Sequence, residues 1–197
     1  MLKRSFDFLL SLFGLAIISP LLLAISLWIK IDSFGPVFYR GERVGQFGKK
    51  FRIFKFRTMV QNADKMGGPS TASDDPRLTK IGDFLKKYQI DELPQLINVF
   101  LGQMSLVGPR PEVPFYADMM IEEEKKIILS VPQGMTDLAS LWDFHEGEVL
   151  KGSPDPEKAY MEKIRPKKLE LQEEYARNHN FFLDLKIIFQ TILKIFS

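Results

Sequence analysis

From Phe6 to Ile31 the chain is almost uninterruptedly apolar, broken by Asp7 near its start, Lys30 near its end and a few small polar residues. A straight helix of that length reaches about 39 Å at ~1.5 Å per residue, more than the ~30 Å hydrocarbon core of a bilayer. The run is too long for a signal peptide and no A-x-A-like site closes it, so a membrane helix is expected. Pro20, directly after Ser19, predicts a kink in the middle, because it removes a helical hydrogen bond and crowds the preceding turn. Each arm then measures about 16 to 18 Å, too short to cross. Lys3 and Arg4 precede the run, and Lys30, Arg40 and Arg43 follow it, so the basic flanks give a crossing no preferred orientation. On the residues alone two arrangements stay open. One is a helix that enters, bends at Ser19-Pro20 and returns to the same face; the other is a single tilted span that tolerates its proline.

Beyond the Gly35-Pro36 turn, Val37 to Arg40 and Lys49 to Met59 read as short strands around Gly41, Gly45 and Gly48. Alternation in the second strand puts Lys55 and Arg57 on one face and Phe54 and Phe56 on the other. Residues Gln61 to Pro76 read as a surface loop. Arg77 to Tyr88 has Leu78, Ile81, Phe84, Leu85 and Tyr88 at helical spacing, with Lys80, Lys86 and Lys87 on a basic side. Leu93, Leu96, Ile97 and Phe100 form a further apolar stripe, closed by Gly102. Ala117 to Leu129 carries the run Glu122 to Lys126, a solvated helix face. Ser130 to Val149 reads as irregular and aromatic, and Pro156 to Asn178 as an exposed helix laced with ion pairs. In the last stretch Phe181, Phe182, Leu185, Ile188, Phe189, Ile192, Leu193 and Phe196 fall on one helical face. Asp184, Lys186, Gln190 and Lys194 fall away from it, a pattern that suits a helix at a lipid interface.

At 197 residues the chain is long enough for one sizeable core. A net charge of +2 provides no strong field for nucleic acid, and none is expected as a partner. The absence of cysteine excludes disulfides, thiolate metal sites and thiol catalysis. Two scattered histidines, His145 and His179, do not make a metal site.

Candidate chemistry concentrates between Ile90 and Pro111, in IDELPQLINVFLGQMSLVGPRP. Pro94 suits the first helical position and disfavours helical backbone at Leu93, so Asp91 and Glu92 fall in the turn before a helix. Unpaired N–H groups and the positive end of the dipole sit there, which favours carboxylate caps and phosphates alike. Lys55, Arg57, Arg77, Lys86 and Arg110 supply the charge that a pyrophosphate substrate requires. Magnesium and arginine neutralise phosphate oxygens, and a carboxylate can attack phosphorus to give an aspartyl-phosphate type ester. Prolines on both sides of Arg110 limit its backbone and help present its guanidinium at a fixed angle. Plain helix caps, a solvated strand face and a structural turn explain the same residues taken one at a time. His145, Trp142 and Phe144 read as packing or surface residues.

Taken in order, KRSFDF leading into an apolar helix with Ser19-Pro20, GPVFYRGERVGQFGKKFRIFKFRTM, DDPRLTKIGDFLKKYQIDELPQL and GQMSLVGPRPE resemble a bacterial sugar transferase of the monotopic phosphoglycosyl transferase family. The correspondence is near-continuous from about Lys3 to Glu112 and resumes in FFLDLKIIFQTILKI. The resemblance implies an α+β, mainly α fold. Residues 1–31 would be a re-entrant membrane helix broken at Ser19-Pro20. Residues 32–197 would be a cytosolic catalytic domain with a small β element and an interfacial amphipathic helix over 180–196. It also implies transfer of a sugar-1-phosphate from a UDP-sugar to polyprenol phosphate with release of UMP, at the cytoplasmic face of a bacterial inner membrane. Asp91 matches the family's nucleophile, and Glu92 the residue that holds or orients Mg2+; together they would form the metal site. Arg110 matches a phosphate-binding arginine, and Lys55 and Arg57 match a basic motif, with Lys86 and Arg77 as further phosphate ligands. A homodimer and downstream glycosyltransferases are the other partners in keeping with such an enzyme, alongside the bilayer itself.

Two departures limit what carries over. Lys86 stands where many members have arginine, which keeps the charge and loses the planar fork. Downstream, Pro132-Gln133-Gly134-Met135-Thr136-Asp137 replaces the usual Arg-Pro-Gly-Ile-Thr-Gly, and the following LASLWDFHEGEVL also differs. The identity of the sugar is therefore not carried over. A membrane-anchored scaffold that keeps the fold without the chemistry, or a single-span protein with a globular domain, are the readings that compete.

Overall fold

One helix, α1 (Leu2–Asp32), takes up the whole apolar run and continues through Pro20. Pro20 has no N–H to offer the carbonyl of Ala16, and the Ser19 hydroxyl donates to that carbonyl instead, at 2.9 Å. The Ser-Pro pair thus satisfies the group that the proline would otherwise orphan, and helical backbone persists on both sides. The computed structural model describes residues 2–143 and 146–195 and is mainly helical with few strands. Phe144, His145 and Phe196, read above from the sequence, lie outside the described residues.

Both halves of α1 are fastened to the rest of the chain. In the first half, Lys3 donates to the Asp184 carboxylate at 2.6 Å and to the Val107 carbonyl at 3.0 Å. Arg4 donates to the carbonyls of Val99 and Phe100. Asp7 is buried and accepts from the Ser105 hydroxyl at 2.8 Å and the Leu106 N–H at 3.1 Å. In the second half, Ile25 and Ile29 pack into a core with Phe56, Ile81 and Leu85. Between these anchor points Ile17, Leu21 and Leu23 are exposed.

The strands are shorter than the sequence pattern suggests. Strand β1 (Phe38–Tyr39) pairs antiparallel with β4 (Lys55–Phe56), and β2 (Glu42–Val44) with β3 (Lys50–Arg52). The expected strand from Lys49 to Met59 is split because Phe54 gives its N–H to the Asn98 side chain, which also binds the Arg52 carbonyl. Helix α2 (Lys80–Lys87) is capped by Thr79, whose hydroxyl accepts from the Gly82 N–H. Helix α3 (Gln95–Phe100) packs along α1, and β5 (Ser105–Val107) follows it. Two short helices, α4 (Pro114–Asp118) and α5 (Glu122–Ile128), replace the single helix expected over Ala117 to Leu129.

The segment read as irregular, Ser130 to Val149, is structured. It contains β6 (Gly134–Thr136), parallel to β5, and the helices α6 (Leu138–Trp142) and α7 (Glu146–Leu150). The segment read as an exposed helix is also different. Pro156 to Asn178 comprises α8 (Pro156–Ala159), a π turn (Tyr160–Ile164) and α9 (Arg165–Asn178). It is not solvated all round: Tyr160, Ile164, Leu169, Gln172 and Tyr175 are buried, and so is Arg165, which donates to the Tyr116 carbonyl at 2.7 Å. The final helix, α10 (Phe181–Ile195), exposes Phe182, Phe189, Ile192 and Leu193 and buries Ile187. Asp184, placed with the outward polar residues by the sequence pattern, instead faces inward, where it accepts from Lys3 and from the Tyr175 hydroxyl at 2.6 Å.

Removing one member of that buried cluster should be costly. Asp184→Ala removes the carboxylate that pairs Lys3 and the Tyr175 hydroxyl and leaves both to the Val107 carbonyl, a loss of about 2–4 kcal/mol. Thermal unfolding of detergent-purified protein measures it, and an unchanged midpoint would rule the contact out as an anchor.

Candidate active site

The turn Ile90–Glu92 connects α2 to α3. It begins at Gln89, whose left-handed backbone (φ 54°) ends one helix and re-aims the chain. Pro94 is the N-cap of α3, which starts at Gln95, one residue later than the sequence suggests; Leu93 is helical despite preceding a proline, because its N–H donates to the Ile90 carbonyl and closes the turn. Within the turn Glu92 accepts from Lys55 Nζ at 2.7 Å and from the Arg110 guanidinium. Lys55 comes from β4 and Arg110 from the segment after β5, so three distant stretches of chain meet at one carboxylate. The Asp91 carboxylate is buried and accepts no hydrogen bond from the described residues.

Arg110 is held from behind. Its backbone N–H donates to Asp137 Oδ2 at 3.3 Å, while Asp137 Oδ1 caps α6 by accepting from Ser140 N at 2.7 Å. The Gly134 N–H donates to the Pro109 carbonyl at 2.9 Å; a Cβ on Gly134 would collide with the Gly108 backbone, and one on Gly108 with the Pro132 carbonyl. Parallel pairing of β5 with β6 thus brings two glycine backbones close enough to set Pro109-Arg110-Pro111 at a defined height. Asp137 and Gly134 went unnoticed as site residues because their contribution exists only once β5 and β6 pair. Asn98, which positions the β3–β4 corner that carries Lys55, escaped notice for a similar reason.

The two neighbouring carboxylates have opposite electrostatics. Burial raises Asp91, with the repulsion of Glu92 adding to it and Lys55, Arg110 and Lys86 opposing it, and the balance lies at about 6. Burial pushes Glu92 up as well, but Arg110 and Lys55 outweigh it and hold the carboxylate well below its usual range. Glu92 is therefore a fixed anion tied to two cations, and Asp91 is an open carboxylate that titrates close to neutrality.

Both face a cleft of about 1400 Å³ whose walls include Lys55, Lys86, Gln95, Arg110 and Tyr116. Lys86 lies beside the turn and donates to the Thr71 carbonyl at 3.1 Å. The other two candidates have structural work. Arg57 lines the same cleft but is buried and donates to the carbonyls of Ser33 and Phe34 just after α1. Arg77 grips Asp75 through both carboxylate oxygens and ties the Gly68 and Ser70 carbonyls, which shapes the loop over one rim of the cleft.

No cluster of three or more His, Cys, Asp or Glu side chains capable of enclosing a metal occurs among the described residues. Magnesium does not require one. It is held through one or two carboxylates, with substrate phosphates and waters as the remaining ligands. An unbonded Asp91 oxygen pair beside Glu92 fits that mode.

The family model described as "Bacterial sugar transferase" matches residues 1–197. Among curated proteins, the chain is 38% identical over 197 residues to a UDP-glucose:undecaprenyl-phosphate glucose-1-phosphate transferase of Escherichia coli (strain K12), covering 98% of this chain and 40% of that protein. It is 35% identical over 199 residues to a UDP-N-acetylgalactosamine-undecaprenyl-phosphate N-acetylgalactosaminephosphotransferase of Aeromonas hydrophila, covering 100% of this chain and 44% of that one. The chain thus spans less than half the length of these two relatives. It is 37% identical over 204 residues to the exopolysaccharide production protein PSS of Rhizobium leguminosarum bv. phaseoli, covering 98% of this chain and 94% of the relative.

The opposed electrostatics of the pair predict opposed effects on stability. The folded value of Asp91 lies above its unfolded value, so ionisation costs the folded state; that cost is complete above about pH 6 and fades below ~3.9. Asp91→Asn should melt higher than the parent at pH 8, with the gap closing near pH 4. The folded value of Glu92 is depressed, so its contribution is present above about pH 4.3 and is lost as pH falls through the folded value. Glu92→Gln strands Lys55 and Arg110 together and should lose about 1–3 kcal/mol at pH 8. Equal melting temperatures for the two variants at pH 8 would refute the assignment.

Proposed function

The chain belongs to the bacterial sugar transferase family, and from that premise we propose that it transfers a sugar-1-phosphate from a UDP-sugar to polyprenol phosphate through a phosphosugar carried on Asp91. The observation that carries this reading is the division of labour in the dyad. Asp91 accepts no hydrogen bond from the described residues and faces the cleft, which leaves its oxygens open to an incoming phosphorus; Glu92 is immobilised between Lys55 and Arg110. In the first half-reaction an Asp91 oxygen attacks the sugar-bearing phosphorus. The bond from that phosphorus to the bridging oxygen breaks, and UMP leaves with the electron pair. In the second, a phosphate oxygen of the acceptor attacks the same phosphorus and releases the Asp91 carboxylate. Arg110 and Lys55 neutralise charge that builds on the phosphate oxygens. Magnesium, held by Asp91, Glu92 and the diphosphate, would supply further neutralisation.

The relatives act on undecaprenyl phosphate by name, and a lipid acceptor requires the cleft to sit at a bilayer. We read residues 1–31 as a re-entrant membrane segment and residues 32–197 as a catalytic domain on the cytoplasmic face of the inner membrane. Two facts support this. Lys3 and Arg4 at one end of α1, and Ile25, Ile29 and the carbonyls of Ser33 and Phe34 at the other, all contact the same body of the protein. A crossing would separate those ends by about 45 Å at ~1.5 Å per residue. The exposed apolar residues of mid-α1 and of α10 then meet lipid. Further glycosyltransferases would consume the product, and a homodimer is compatible with the fold.

Two experiments test the proposal. Intact mass after exposure to a panel of UDP-sugars with magnesium and no acceptor should rise by one phosphosugar in the parent and not in Asp91→Asn. An adduct that survives in Asp91→Asn would overturn the assignment of the nucleophile. For topology, the chain has no cysteine of its own, so single cysteines at the exposed positions Leu2 and Phe34 can be labelled in intact spheroplasts and in inverted vesicles. A re-entrant helix makes both reactive only in inverted vesicles, whereas a spanning helix splits them.

A further inference from the structure

Helix α2 presents three different faces in succession. At ~100° per residue, Asp83 and Lys87 share one side, Phe84 and Tyr88 the next, and Ile81 and Leu85 the one after. The structure assigns each a setting. Asp83 and Lys87 line the cleft that holds Asp91. Ile81 and Leu85 are buried against Ile25 and Ile29 of α1. Phe84 and Tyr88 are exposed between them, at the seam where the membrane helix meets the cleft. They belong to a ladder of rings: Trp28 of α1 lies 5.9 Å from Phe84, and Phe84 lies 5.1 Å from Tyr88, centroid to centroid. Lys87 Nζ stands 5.7 Å from the Tyr88 ring and forms no ion pair among the described residues.

We propose that Trp28, Phe84, Tyr88 and Lys87 form the docking track of the lipid acceptor, with its prenyl chain over the rings and its phosphate on Lys87. This rests on the function proposed above and extends it to residues outside the dyad. A polyprenol phosphate in the bilayer has to bring an anionic head to Asp91 while its tail stays in lipid. The ladder offers an apolar surface that starts on the membrane helix. It ends beside a cation on the cleft wall, four residues from the nucleophile. Exposed aromatic rings also anchor proteins at the membrane interface in general. That role would place no demand on Lys87 and would give no preference for a phosphate head.

Binding can be read without turnover. With Trp142→Phe as the background, Trp28 is the remaining tryptophan and its fluorescence reports on the first rung. Titration with farnesyl phosphate in detergent should give a saturable change that farnesol does not reproduce. Lys87→Gln, Phe84→Ala and Tyr88→Ala should each raise the midpoint about tenfold, while melting temperatures verify that the variants fold. Midpoints unchanged in all three, or identical curves for farnesyl phosphate and farnesol, would overturn the proposal and leave the rings as interface anchors. The mass experiment on the parent stands apart. If no phosphosugar adduct forms while this titration saturates, the proposed reaction fails and the lipid phosphate site remains.

Discussion

Half-buried Lys3 and buried Asp7, Ser105, Tyr175 and Asp184 are polar groups clustered where two apolar helices end, and their pairing decides where those helices can lie. A buried charge left alone is strongly disfavoured, so Lys3 and Asp184 hold each other, with Tyr175 and Ser105 filling the remaining acceptor positions. The cluster closes on β5: the Val107 carbonyl accepts from both Lys3 and Tyr175, and Asp7 binds Ser105 and Leu106. The first turns of α1, the start of α10 and the strand leading into Arg110 are therefore one rigid unit. Any position that the apolar helices take up in a membrane fixes the height of Arg110, and through it of Glu92.

Much of this was legible in the sequence because it depends on local rules. The apolar run of α1, the proline that places α3, the outward apolar stripe of α10 and the acidic pair at the α2–α3 turn all come from spacing and backbone chemistry within a few residues. The failures are as instructive. Asp184 sits on the polar side of its helix by pattern, yet faces inward because Lys3 comes from 181 residues away. Pro156 to Asn178 looks solvated because charges outnumber apolar residues, although a buried edge needs only Tyr160, Ile164, Leu169 and Tyr175. Ser130 to Val149 looks irregular because a strand as short as Gly134–Thr136 has no periodicity to read. Arg57 reads as a partner of Lys55 on alternation, yet its guanidinium is taken up by the Ser33 and Phe34 carbonyls, a contact made only once the end of α1 packs there. At the site, Asp91, Glu92, Lys55 and Arg110 were readable as candidates; Asp137, Asn98 and Gly134 were not, since each acts by positioning a neighbour across the fold.

What remains is why two adjacent carboxylates behave so differently. Successive residues in a tight 3₁₀ turn leave the axis about 120° apart, so neighbours cannot share one set of partners. Glu92 points to Lys55 and Arg110, and Asp91 is left directed into the cleft with the same cations acting only through space. An ordinary α-helix N-terminus would let both acids cap backbone N–H groups, and each would then be a poor nucleophile. Here Gln89 in left-handed backbone sets the turn apart from α2, while helical backbone at Leu93 and Pro94 leads on into α3. Glu92 neutralises part of the cationic field and its own negative charge keeps Asp91 from being drawn fully into the ion-pair network. The pairing that fixes one carboxylate is thus what leaves the other free, and separation of the two roles follows from the turn geometry before any substrate binds.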